Sequence, residues 1–161
     1  MASRRTVLGA LLAPLALRGQ TQADAILVRK ARRELLLLSG GRVMRTYAIA
    51  LGRVPSGPKQ RQGDGKTPEG GYTISGRNLH SAYHRSLRIS YPNESDRARA
   101  RRAGVSPGGD IMIHGLPNGL GSLGAAHRLN DWTEGCIAVT NVEIEEIWRL
   151  APDGTPIRIE P

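Results

Sequence analysis

"DWTEGCIAVTN", Asp131 to Asn141, holds the single cysteine of this 161-residue chain. Cys136 lies between a strand-like approach and a helix announced by the capping box Thr140-Asn141-Val142-Glu143. The spacing of Ile144, Ile147, Trp148 and Ala151 gives that helix one buried face, and Pro152 and Gly154 end it. Gly135, just ahead of the thiol, lets a substrate or a second backbone approach closely.

Outward from this stretch the chain reads as strands. Ile26 to Val28, Glu34 to Leu38 and Arg42 to Leu51 are short aliphatic runs, separated by the charged "RKARR" and by the tight-turn composition Ser39-Gly40-Gly41. Strands are also expected at Gly71 to Ser75, Leu87 to Tyr91, Asp110 to His114 and in the closing "TPIRIE". Pro55 to Gly71, "PSGPKQRQGDGKTPEGG", is too rich in glycine and proline for regular structure and reads as a long functional loop. "NESDRARARRAG", Asn93 to Gly104, predicts a solvated helix with Asn93 as its N-cap. These elements make one mainly β domain with two or three short helices, nearer to a β-sandwich than to an alternating α/β fold.

The first 25 residues do not belong to that domain. Arg4 and Arg5, the apolar run Val7 to Leu17 and Ala23-Asp24-Ala25 follow the three-part layout of a secretory signal peptide. Ser3-Arg4-Arg5-Thr6-Val7-Leu8 also fits a twin-arginine signal. The expected division is a signal peptide over residues 1–25 and a folded domain over 26–161, exported to the periplasm or cell envelope. The formal charge of +9 falls to +7 on loss of Arg4, Arg5, Arg18 and Asp24, still basic enough to be drawn to an anionic wall or membrane surface. An exported protein rarely meets nucleic acid, and none is expected as a partner.

One cysteine closes no internal disulfide, so Cys136 is a buried small hydrophobe, an intermolecular link or a reactive thiol. A reactive thiol needs a base, because at neutral pH only a few per cent is thiolate. His80, His84, His114 and His127 are available. "DIMIHG" is an apolar strand ending at His114 with Gly115 behind it, which sets the imidazole at a sheet end where loops gather. Composition alone favours a packed or hydrogen-bonded core histidine over a catalytic one. The other three histidines read as surface or loop residues.

"IMIHG" followed by "TEGCIAV" resembles the L,D-transpeptidase catalytic domain, the YkuD family, whose pattern is His-Gly, a spacer, then Ser/Thr-x-Gly-Cys and an aliphatic residue. The matching positions are His114-Gly115, Thr133-Glu134-Gly135-Cys136 and Ile137. "IALG", Ile49 to Gly52, and "GDGKTPEGGY", Gly63 to Tyr72, resemble a glycine-rich segment these domains carry upstream. The resemblance implies a YkuD-like β-sandwich and cysteine acyl transfer on peptidoglycan stem peptides, in cell-wall biogenesis and cell shape, without cofactor or metal. Cys136 would be the nucleophile and His114 the proton acceptor and donor, with the Gly135 and Cys136 N–H groups facing the oxyanion. A backbone carbonyl often orients the histidine in this family. Thr133, Trp132, Tyr91 and His127 are candidate substrate contacts. Ala138 stands where many members carry Arg or Asn, and Glu134 where many carry His. Those departures leave room for a hydrolase with the same dyad or a non-catalytic wall-binding module.

Two motifs are set aside. Gly119 to Gly124 is a literal G-x-G-x-x-G, but it lacks the strand–helix–strand context of a dinucleotide site and reads as a flexible loop between His114 and Cys136. His80-x-x-x-His84 has helical metal-ligand spacing without any further metal signature.

Overall fold

The computed structural model describes residues 22–161. Eight strands form one mixed sheet: β1 (Ala25–Arg29), β2 (Glu34–Ser39), β3 (Arg42–Ala48), β4 (Gly70–Ser81), β5 (His84–Ile89), β6 (Met112–His114), β7 (Ile137–Ala138) and β8 (Pro156–Glu160). Their order is β3-β2-β1-β8-β4-β5-β6-β7. Helix α1 spans Glu94–Arg102, a 3-10 helix spans Gly121–Leu129, and helix α2 spans Asn141–Leu150. The mainly β domain with three short helices is as the sequence implies. The signal-peptide reading falls almost wholly outside the described residues.

Long β4 joins the two limbs of the sheet. Gly70 to Thr73 pair with β8, whereas Ile74 to Ser81 pair with β5 across two register shifts. Residues two apart on β1, β2 and β8 turn Ile26, Val28, Leu35, Leu37, Ile157 and Ile159 inward, where they meet Leu87, Ile89, Ile113 and Ile137 in one core. Helix α2 is capped as expected, with Thr140 and Glu143 exchanging side-chain and backbone bonds. Its buried face differs by one position. Leu150 is buried, whereas Trp148 is only partly so and lies beneath Arg77 and Arg85.

Residues 49–53 leave the β3 edge and cross to the far edge of the sheet. Ala50 pairs with Ala138 in an antiparallel bridge, and Gly52 pairs with Thr133 in a parallel one. The chain thereby closes its own sheet beside Cys136, leaving β7 covered rather than open.

The turn between β1 and β2 ties this closure down. Lys30 is 2 % exposed, and its ammonium donates to Gly57 O (2.7 Å), Thr67 O (3.1 Å) and Glu69 Oε1 (2.8 Å). Arg33 forms a two-pronged pair with Asp131, whose Oδ1 also accepts the Leu51 N–H. Ahead of β1, Ala23 is buried with its N–H on Leu150 O, and Asp24 accepts the Gly40 N–H. Residues 23–25, three positions ahead of the boundary expected after Ala25, thus pack with the domain.

Replacing Lys30 by Met strands Glu69 and two loop carbonyls. A loss of about 3 kcal/mol is expected in a denaturant titration. Replacing exposed Arg32 by Ala should cost less than about 0.5 kcal/mol. Equal midpoints for the two variants would show that the buried ammonium does not anchor the loop.

Candidate active site

Strand β6 lies between β5 and β7, and this register gathers the site. His114 is opposite Ser86 on β5 and Ala138 on β7. Ile113 is paired with Ile137, so one step back along the parallel ladder sets Cys136 against Met112. Side chains in register on paired strands share a face, as do residues two apart on one strand. Cys136 immediately precedes β7 and its thiol meets the Met112 N–H; a regular ladder continued to Cys136 would put its Cα about 8 Å from that of His114 on the same face.

His114 is 3 % exposed. Its Nδ1 is 2.7 Å from Gly115 O. A carbonyl only accepts, so Nδ1 carries the proton and the neutral ring leaves Nε2 bare. Tyr83 stacks at 4.5 Å between centroids, and Trp132 meets the ring edge-on at 5.7 Å. Burial lowers the His114 pKa from its ordinary value; the Gly115 carbonyl opposes this and His127 adds to it. Burial raises the pKa of the partly exposed Cys136 thiol, opposed by the Met112 N–H and by Lys59. Both groups are therefore held in their uncharged forms. Asp131 and Thr133 support the cysteine turn, the latter donating to Cys136 O at 2.7 Å.

Gly135 has φ 131° and is closely enclosed. A Cβ there would lie 2.5 Å from Lys66 O and 3.1 Å from Ile111 Cδ1. Its N–H donates to Thr133 Oγ1 at 3.1 Å, which corrects the expectation that this group is free for an oxyanion. Gly115 is enclosed as well, since a Cβ would sit 2.7 Å from Asn141 Oδ1. That same oxygen accepts the Leu116 N–H and ties the His-Gly loop to the start of α2.

The other candidates divide. Trp132 lies at the site and donates its indole N–H to His127 Nδ1 at 3.4 Å. His127 is buried rather than a surface histidine. It belongs to the 3-10 helix, which replaces the expected glycine loop and kinks at Gly124. Tyr91 packs in the core against Tyr72 and donates to Pro107 O, so its hydroxyl is occupied. His80 is exposed on β4, and His84 opens β5 with a bond to Glu145; their spacing bridges a hairpin, not a helical turn. Among the described residues no group of three or more His, Cys, Asp or Glu side chains could hold a metal ion. No helix there is long and apolar enough to cross a membrane. Sequence reasoning missed Tyr83, which is signalled only by its place at a hairpin tip, and Asn141, which was read as a helix start alone.

The profile of the L,D-transpeptidase catalytic domain, YkuD, matches residues 23–159. YafK of Escherichia coli (strain K12), provisionally named an L,D-transpeptidase, is 37 % identical over 96 residues, covering 58 % of this chain and 31 % of its own. The chain spans about a third of that curated relative. Among solved structures, the helical cell shape determining protein Pgp2 of Campylobacter jejuni superposes with a TM-score of 0.65 at 25 % identity, over 88 % of this chain and 48 % of that one. Bd1075 of Bdellovibrio bacteriovorus gives a TM-score of 0.59 at 25 % identity, over 87 % and 48 %. An L,D-transpeptidase of Xylanimonas cellulosilytica, with a TM-score of 0.53 at 15 % identity over 88 % and 62 %, shares the fold.

Gly135→Ala forces a methyl against the Lys66 carbonyl in a left-handed backbone. It should cost about 2–4 kcal/mol and displace the cysteine turn, read as a lower melting point and a changed Cys136 alkylation rate. An unshifted melting point would contradict the enclosure.

Proposed function

The chain belongs to the L,D-transpeptidase catalytic-domain family, and we propose that it is an exported cysteine acyltransferase acting on peptidoglycan stem peptides. One observation carries the reading: β7, which directly follows Cys136, pairs with the strand that ends at His114, whose Nδ1 is tied to Gly115 O so that Nε2 is left to accept a proton.

His114 Nε2 takes the thiol proton as Cys136 Sγ attacks the carbonyl at the L-to-D junction of a tetrapeptide stem. The oxyanion accepts a hydrogen bond from the Cys136 N–H, since the Gly135 N–H is already given to Thr133. Such a donor contributes about 3–4 kcal/mol to the transition state. Collapse breaks the C–N bond, and the imidazolium protonates the amine of the departing D-alanine. A thioester remains on Sγ. An amine from a neighbouring stem then attacks it, loses its proton to His114, and restores the thiol.

Water is the second acceptor. Its support is the partial exposure of Cys136 and the wholly buried Ala138, which holds the sheet closure and presents no cation to an incoming group. Arg4, Arg5 and the apolar run Val7 to Leu17 support export to the periplasm or cell envelope. The exposed Arg97, Arg101 and Arg102 of α1 offer a surface for an anionic wall or membrane.

Incubation with tetrapeptide muropeptides, followed by mass measurement of the intact protein, should reveal an acyl adduct on the native enzyme. None should form on Cys136→Ala, and His114→Ala should acylate about 10²–10⁴-fold more slowly. A native protein that never acquires the adduct would contradict the mechanism. Released stem products then distinguish amine from water.

A further inference from the structure

A cavity of about 630 Å³ lies between the loop 60–66 and the C-terminal end of α1, where Arg61, Asp64, Lys66, Arg99 and Val105 face it. Neither His114 nor Cys136 borders it. Asp64 is the one acid on its wall, and that carboxylate is already spent. Its Oδ1 accepts from Lys59 Nζ at 2.8 Å and from the Lys66 N–H at 3.1 Å. Its Oδ2 accepts the Gln60 and Arg61 N–H groups. Arg99 is tied on one side only, with Nη2 donating to Asp96 Oδ1 at 2.6 Å and to Lys59 O at 3.0 Å. Its Nε–H is buried without a hydrogen-bond partner. Buried donors seldom remain so unless a ligand or water completes them.

The charges at this cavity do not balance. Lys59 with Asp64 and Arg99 with Asp96 form two ion pairs that cancel internally. Arg61 and Lys66 then add positive charge that no carboxylate among the described residues offsets. A cleft lined by one sign of charge concentrates the opposite ion. Arginine offers planar donors that match phosphate oxygens, and lysine adds a compact point charge. A phosphomonoester carries about two negative charges at neutral pH, enough to answer both surplus cations, whereas a carboxylate answers one. The volume suits a phosphate carried on a larger polar group.

We infer that this cavity binds a phosphomonoester carried on a polyol, either a soluble sugar phosphate or a lipid headgroup. The Arg99 Nε–H, the Arg61 guanidinium and the Lys66 ammonium donate to its oxygens. The site gives a definite seat to the anionic attraction proposed for α1, and it does not depend on acyl transfer. Exposed Arg97, Arg101 and Arg102 draw an anion in from a distance, whereas the cavity supplies the fit. The Lys66 carbonyl abuts Gly135, so a ligand held here sits beside the segment that supports the cysteine turn without entering the dyad.

Calorimetric titration with glycerol phosphate, glycerate and glycerol separates a phosphate site from general charge attraction. Glycerol phosphate should bind about tenfold tighter than glycerate, and glycerol should give no heat. Co-sedimentation with phosphatidylcholine vesicles then separates the two sources. The vesicles are doped with phosphatidic acid, a phosphomonoester, or at equal charge with phosphatidylglycerol, a phosphodiester. Preference for phosphatidic acid assigns the site to a lipid headgroup; equal sedimentation, with glycerol phosphate bound, assigns it to soluble sugar phosphates. Arg61→Gln and Lys66→Gln should each weaken phosphomonoester binding about tenfold. Arg99→Lys keeps a cation for Asp96 but removes the Nε–H, and should do the same. Arg32→Gln removes an exposed charge at the β1–β2 turn and should change nothing. Melting curves confirm that each variant is folded. No binding of either phosphomonoester, glycerate bound as tightly as glycerol phosphate, or equal losses in Arg32→Gln and Lys66→Gln would overturn the site. Adduct formation on Cys136 is scored separately, so its failure would sink acyl transfer and leave this site standing.

Discussion

Everything at the site depends on the close approach of two backbone segments, residues 50–53 and 133–138. A Cβ at Gly52 would lie 2.2 Å from Gly65 O and 3.0 Å from the Gly135 Cα. Glycine is thus required on both sides of the contact. Hydrogen bonds then hold the segments at this spacing: Thr133 N–H to Leu51 O, Arg53 N–H to Thr133 O, and a reciprocal pair between Ala50 and Ala138. The contact closes the sheet and fixes the turn from which Cys136 projects. Lys30 and Arg33 brace it from the first hairpin, one through the 57–69 loop and the other through Asp131.

This enclosure also sets the electrostatics. A thiol raised by burial and an imidazole lowered by it leave a neutral pair at rest. Charge separation is then deferred until a substrate carbonyl is available to receive the sulfur's electrons. The nearest buried charges are themselves neutralised. Lys59 pairs with Asp64 at 2.8 Å. Burial alone would raise the Asp64 pKa, but bonds from Lys59 and from the N–H groups of Gln60, Arg61 and Lys66 hold it at about 2. The loop that abuts Gly135 is thereby locked by its own ion pair.

Much of this was legible in the sequence, because strands with one buried face alternate and helices with caps declare their ends. β8 and α2 follow that rule, whereas β1 and β2 were legible as continuous aliphatic runs. β4 runs to Ser81, six residues past its expected end, because its distal half is largely exposed and shows no alternation. Lys30 and Arg33 read as a charged turn, since burial of a cation is a tertiary event that depends on Glu69 and Asp131 far along the chain. His127 looked like a loop residue because its burial needs Trp132 to fold over it. The Gly135 N–H was expected to be free because the Thr133 hydroxyl competes for it only in the folded turn.

The central claim is that the imidazole of His114 and the sulfur of Cys136 share a proton across one strand gap. Nitrogen-15 NMR of the His114 ring tests it directly. Near pH ~7 the ring should be neutral, with its proton on Nδ1, and the Nε2 resonance should move when Cys136 is replaced by Ala. A ring protonated on Nε2, or an Nε2 resonance indifferent to the loss of the sulfur, would contradict it.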